Sequence, residues 1–166
     1  MTECTPQQLD FHAFGRQEVT GRFDGGRITS DGGGLLLREV EQRIGMLARL
    51  GRCFTDYRQQ EFIEHSIHDL VAQRIYGLAL GYEDLNDHDH LRADSVLALL
   101  VGKHDLTGKK RKREQDRGNP LAASSTLNRL ELSTHEEAPA HRYKKIAFNQ
   151  EQACLLYTSP SPRDKT

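Results

Sequence analysis

Between Glu83 and His90 the chain gathers Glu83, Asp84, Asp87, His88, Asp89 and His90. Carboxylates and imidazoles are the ligands that hard and borderline divalent cations select, so the first chemistry to weigh is metal ligation. An EF-hand loop needs Asp-x-Asp-x-Asn-Gly with a Glu at its twelfth position, and this turn supplies neither. HExxH, the zinc-protease pattern, is absent. A metal-dependent phosphohydrolase built on the Asp/His turn 84–90 is kept as an alternative; it requires the pairs His68-Asp69, His88-Asp89 and His104-Asp105 to converge on one ion, and no helical spacing shows that they do. Acidic residues just after a helix more commonly cap, turn and pair. Asp84, Asp87 and Asp94 are therefore read as structural, and no metal ligand is assigned.

The second candidate chemistry is phosphate binding. Lys109-Lys110-Arg111-Lys112-Arg113 is an unbroken basic run whose side chains suit a nucleic-acid backbone without sequence preference. Beyond it, Ser124-Ser125-Thr126-Leu127-Asn128-Arg129-Leu130-Glu131 opens a helix with small hydroxyls and then offers Asn and Arg. Such groups reach phosphates or base edges from a helix N-terminus. Lys109, Lys110, Arg111, Lys112, Arg113, Ser125, Thr126, Asn128 and Arg129 form the candidate DNA-binding set. A non-enzymatic helical DNA-binding module fits these features, although the preceding linker is too long for a helix-turn-helix. Gly32-Gly33-Gly34 lacks the context of a phosphate-binding loop and reads as a tight corner. No nucleophile motif stands out: GxSxG is absent, and Cys4, Cys53 and Cys154 are scattered, odd in number and without CxxC spacing.

These residues need elements to carry them. Ile67, Leu70, Val71, Ile75, Leu78 and Ala79 recur at helical steps, predicting a helix over Ser66–Leu80 that ends on a left-handed cap at Gly81. Arg74 falls on or beside that apolar stripe and needs a carboxylate, for which Asp84, Asp87 and Asp89 are the nearest candidates. Residues 1–15 read as a flexible arm. Glu18–Phe23 and Arg27–Thr29 flank Asp24-Gly25-Gly26 as an expected hairpin. Asp31 is the expected N-cap of a helix whose apolar face is Leu36, Val40, Ile44 and Leu47. Cys53–Gln60 reads as a connector. Asp94 caps a short apolar helix, Ser95–Val101, and 102–119 is a basic linker. Ser124 or Ser125 caps the next helix, and Tyr143–Phe148 starts a further element.

With 166 residues the chain suits one ordinary domain, and its 36% hydrophobic content without Trp implies a modest core. The net charge of -1 is no signature of nucleic-acid binding, so any such signal is local. No apolar run is long enough to span a bilayer and no secretory leader is evident, so no membrane partner is expected and the location is expected to be cytoplasmic.

Taken in order, Ile28-Thr29-Ser30-Asp31-Gly32-Gly33, Asp56-x-Arg58, Gln73-Arg74, Leu78-Ala79-Leu80-Gly81-Tyr82-Glu83-Asp84-Leu85-Asn86-Asp87-His88, Leu91-Arg92-x-Asp94, Leu121-Ala122 and Ser125–Glu131 resemble the N-terminal region of bacterial insertion-sequence transposases of the DDE class. The resemblance spans about residues 18–148. It implies a mainly α region with a short N-terminal β-hairpin over 16–153, joined in the full-length family to a ribonuclease-H-like catalytic domain. There, three carboxylates hold Mg2+ for DNA cleavage and transfer. The first of them is expected beyond the Ser-Thr-Leu-Asn-Arg-Leu-Glu block, where this sequence carries no match. The chain therefore reads as a truncated, catalytically inactive transposase, with no catalytic residue and no cofactor of its own. DNA at insertion-sequence ends is its partner, and self-association is an expectation for the full-length protein. Residues 154–166 read as a non-native tail, since Cys154–Asp164 resembles a translated sequencing adapter.

Overall fold

The computed structural model describes residues 8–25, 28–133, 140 and 142–158. The chain is mainly helical, with two small antiparallel sheets. A hairpin of β1 (Gln8–Phe14) and β2 (Gln17–Arg22) precedes α1 (Gly34–Ile44), α2 (Met46–Gly51) and β3 (Phe54–Asp56). Next come α3 (Ile67–Ala79), α4 (His88–Leu91) and α5 (Ser95–Val101), then a long loop. The described chain ends with α6 (Ser124–Glu131), β4 (Ile146–Phe148) and α7 (Gln150–Thr158).

The core is built around α3. Its N-terminus is fixed by a capping box, in which Ser66 Oγ accepts from the Asp69 N–H and the Asp69 carboxylate accepts from the Ser66 N–H. At its other end Gly81 takes φ 96, and the Tyr82 N–H reaches back to the Gly77 carbonyl at 2.9 Å, closing the expected left-handed cap. Leu70, Val71, Ala72 and Tyr76 of α3 pack with Leu97, Ala98, Leu100 and Val101 of α5 and with Leu121, Leu127 and Leu130. Each fully buried leucine contributes roughly 1.5–3 kcal/mol by leaving water. The buried stripe is rotated from the expected one. Gln73 and Gly77 face inward, while Leu78 and Ala79 face out. Gln73 turns inward because its amide pairs with backbone that would otherwise be buried without partners.

Several local expectations are corrected. The hairpin turns at Gly15-Arg16, not at Asp24-Gly25-Gly26, so Gln8–Phe14 of the expected arm is a strand that pairs with β2. Residues 1–7, Gly26 and Arg27 lie outside the described residues. Asp31 does not cap α1: Gly33 stands at the N-cap, and the Asp31 carboxylate accepts the Tyr82 hydroxyl at 3.1 Å. The face of α1 is also turned, so that Leu36, Val40 and Ile44 are exposed while Arg38 is buried. Arg38 is drawn inward because it donates to the His12 carbonyl at 2.8 Å and lies over the Phe14 ring, tying β1 to the helix.

The connector expected over Cys53–Gln60 contains β3, which pairs with β4 in the register Phe54↔Phe148, Thr55↔Ala147 and Asp56↔Ile146. Beside this sheet, Asp56 holds Arg58 through both carboxylate oxygens at 2.8 and 2.7 Å. Helix α7 runs from before the expected tail to Thr158, and 159–166 lie outside the described residues.

Candidate nucleic-acid interface

The basic segment within 102–119 is folded onto the body of the protein instead of being a free linker. Lys103 donates to Asp69 at 2.6 Å, and Arg111 pairs with Glu64 at 2.8 Å and also meets Asp116 and the His65 ring. Arg92 reaches Asp116 from α4 at 2.8 Å. Asp105 shapes the loop tip by accepting the Lys110 N–H at 2.6 Å, and that contact holds its carboxyl below the usual range. Gly108 closes the loop at φ 66, where a Cβ would stand 2.7 Å from the backbone of Asn119 and Pro120.

This packing divides the basic run by function. The Arg111 side chain is 12% exposed and is committed to internal carboxylates. Lys109, Lys110, Lys112 and Arg113 are exposed, with the Lys112 ammonium resting on the Glu61 carbonyl at 2.9 Å. Lys109, Lys110 and Arg113 are thus the exposed cations of the run, while Lys112 is exposed but held at its ammonium by backbone.

Helix α6 buries Leu127 and Leu130 and exposes Ser125, Asn128 and Arg129 on its outer side, with Thr126 partly covered. Its cap is not Ser124 or Ser125. Ala123 stands at the N-cap, and the carboxylate arrives from Asp89, which accepts the Ser124 N–H at 2.9 Å and the Ser124 hydroxyl at 2.8 Å. Those two bonds lower the Asp89 pKa, so an anion already occupies this helix end. What α6 presents to a ligand is its outer face, not its N-terminus.

One short element thus positions both candidate surfaces. Asp89 in α4 holds α6, and Arg92 at the end of the same helix holds the basic loop through Asp116. The Leu121 N–H also donates to the Arg92 carbonyl at 3.1 Å. Beneath them, the Gln73 amide accepts the Ala122 N–H and donates to the Ala122 carbonyl, both at 2.9 Å, and lies 3.2 Å from His88 Nδ1. Burial, followed by the Arg74 charge, lowers the His88 pKa and keeps the ring neutral.

The expected acidic partners of Arg74 are corrected. Its guanidinium pairs with Glu131 of α6 and donates to the carbonyls of Tyr82 at 3.2 Å and Glu83 at 2.8 Å. Of the acidic turn, Asp84 accepts the Asn86 N–H at 2.9 Å and Asp94 accepts the Leu97 N–H at 2.7 Å, each starting a helical turn. Asp87 stands at the N-cap of α4 without a side-chain bond. Sequence reasoning missed Gln73, His65 and Asp89 as organising residues. Gln73 alone carried a signal, as a polar residue within the apolar-periodic stretch of α3; His65 and Asp89 sit among polar neighbours.

The family model described as Transposase DDE domain group 1 matches residues 11–158. The chain belongs to this family, and its function is of the transposase type, in the transposition of insertion-sequence DNA. No curated protein and no solved structure matches the chain. Family membership implies DNA binding, and no helix among the described residues is long and apolar enough to cross a membrane.

The family generally uses Mg2+. The residues described here do not fit that ion. Asp84 and Asp89 are turned onto backbone N–H groups, His88 is enclosed against Gln73 and Gly77, and no three His, Cys, Asp or Glu side chains among the described residues are grouped to hold a metal.

Proposed function

We propose that this chain serves as the DNA-holding and scaffolding region of an insertion-sequence transposase. The exposed cations of the 102–119 loop seat the phosphate backbone, and the outer face of α6 lies against the duplex beside it. The observation that carries this reading is the division of the basic run: the half-buried Arg111 is held in ion pairs while Lys109, Lys110 and Arg113 are exposed on a fixed loop. A folded loop that spends one arginine on anchoring and exposes its neighbours presents charge at fixed positions, which lowers the ordering cost of binding. Ser125, Asn128 and Arg129 supply the groups able to read base edges. Self-association belongs to the same proposal for the full-length protein.

Strand cleavage and transfer are assigned, in this reading, to carboxylates on strands of a ribonuclease-H-like domain, and none of the residues described here takes that role. Support comes from the acidic turn, whose side chains are committed to caps and to α6.

The test is fluorescence anisotropy with two labelled duplexes, one an insertion-sequence end and one unrelated. Arg129→Ala with Asn128→Ala is expected to weaken binding to the end about tenfold or more, the range of one lost base-reading pair, and to change the unrelated duplex little. Equal loss on both duplexes removes α6 from base reading, and no loss on either removes it from the interface.

A further inference from the structure

We propose that Phe62 is a stacking platform for an unpaired base of a DNA strand whose phosphates lie on the 102–119 loop. The inference rests on the DNA-holding reading of that loop and adds the form of DNA the surface takes, a strand with at least one base out of its pair.

Phe62 ends a single helical turn, Gln60–Phe62, and is 70% exposed, while the next residue, Ile63, is half-buried. The turn is braced from two sides. Arg58, itself held by Asp56, donates to the His65 carbonyl at 3.0 Å and closes the base of the segment that carries Phe62. From the basic loop, the Lys112 ammonium donates to the Glu61 carbonyl at 2.9 Å and the Lys112 N–H to the Glu64 carboxylate at 3.1 Å. Lys103 adds a bond to the Glu64 carbonyl at 3.3 Å. The ring is therefore presented to solvent from a fixed backbone, and little ordering is needed when a ligand covers it.

The same contacts set the ring beside a cation. The Lys112 ammonium lies within about 6 Å of the Phe62 Cα, one peptide unit beyond its bond to Glu61. An ammonium carries further N–H donors, so the Glu61 contact leaves capacity for a phosphate. Arg113, exposed, follows in the chain. A nucleotide joins a flat base to a charged phosphate, and this corner of the molecule joins an aromatic face to a cation.

Size and charge select the occupant. Gln59, Gln60 and Glu61, which lead into the ring, are polar and exposed, so the apolar area is that of one ring. That is too little for a protein partner and enough for one base. The Glu61 carboxylate repels a phosphate from the ring itself, which leaves the aromatic face to an uncharged base. Inside a duplex the base faces are covered by their neighbours, so the ring takes a base that has left the stack.

The test is fluorescence anisotropy of the full chain with a blunt duplex, the same duplex with a tail of about six thymidines, and the same duplex with an abasic tail of equal length and charge. The wild type is expected to bind the thymidine tail about fivefold or more tighter than the abasic tail. Phe62→Ala and Phe62→Leu are expected to lose that difference while keeping the blunt-duplex affinity and the melting temperature. Phe62→Trp is expected to keep it. Because the chain has no Trp, the fluorescence of that variant reports this ring alone, and quenching by the thymidine tail but not by the abasic tail is expected. Equal affinity for the two tails in the wild type, a preference that survives Phe62→Ala or Phe62→Leu, or a Trp signal blind to the tail overturns the proposal. So does a loss in Phe62→Ala that is equal on all three DNAs. Blunt-duplex binding without a tail preference sinks this inference and leaves the DNA-holding reading standing. No binding to any of the three DNAs sinks that reading as well.

Discussion

Gln73 shows how much of this structure depends on single polar side chains. It bridges α3 to the segment entering α6 through both hydrogen bonds of the Ala122 backbone. Gln73→Leu keeps the volume and strands a buried N–H and C=O, which costs roughly 2–4 kcal/mol for two unsatisfied groups. Urea denaturation is expected to show that loss, and a change below about 0.5 kcal/mol would mean the backbone finds other partners.

His65 offers a second test at the residue scale. Burial, and then the nearby charges of Lys103 and Arg111, push its pKa down to about 3, while Arg58 adds to this effect and Asp69 opposes it. The unfolded chain takes up the proton near 6.5 and the folded one does not. The stability contributed by the neutral ring is therefore complete above about pH 6.5 and is lost as pH falls toward about 3. His65→Gln is expected to flatten the fall in melting temperature between pH 7 and pH 5, upstream of most carboxylate titration. An unchanged slope in that window would exclude His65 as its source.

At the scale of elements, helices were legible in the sequence where an apolar period agreed with a cap, as in α3 with Ser66 and Gly81. Helix α1 has an equally clear period, yet its apolar face points outward. Periodicity gives the existence of a face and not what covers it. Gln8–Phe14 does alternate, with Leu9, Phe11 and Ala13 set between Gln8, Asp10 and His12, but the run is short and both strands are mostly exposed, so the pattern marks a hairpin and not a core face. The loop over 102–119 is polar and basic, and a sequence window gives it no reason to be more than a linker. Its order comes from ion pairs to residues distant in sequence, such as Arg111 to Glu64, which no local window contains. The same limit hid the Asp89 cap on α6 and the Glu131 partner of Arg74.

The loop makes a prediction of its own. Arg111→Ala leaves Glu64 and Asp116 facing each other without their shared cation and is expected to lower stability by about 1–3 kcal/mol. Lys110→Ala, on the solvent side, is expected to change it by less than about 0.5 kcal/mol. Thermal unfolding of the two variants separates them, and equal effects would dissolve the distinction between anchor and contact residues.

For the whole molecule, the parts form one arrangement. The core around α3 fixes α4, whose Asp89 and Arg92 set α6 and the basic loop in place, while α1 turns an apolar stripe away from both. The acidic turn that first suggested a metal centre is the mount for the proposed DNA surface. Family membership was legible in the ordered sequence blocks, and the chemistry of individual positions was not. The motif residues Gln73 and His88 are buried structural groups, and Asp31 binds a tyrosine hydroxyl instead of capping its helix.

The most direct test of that arrangement is the salt dependence of duplex binding. Affinity is measured between about 50 and 200 mM salt for the wild type and for Lys109→Ala, Lys110→Ala, Arg113→Ala combined. Removing three phosphate contacts is expected to lower the slope of log K against log salt by about 2.7. An unchanged slope in the triple variant, or binding insensitive to salt in the wild type, would contradict the assignment of the 102–119 loop as the DNA-holding surface.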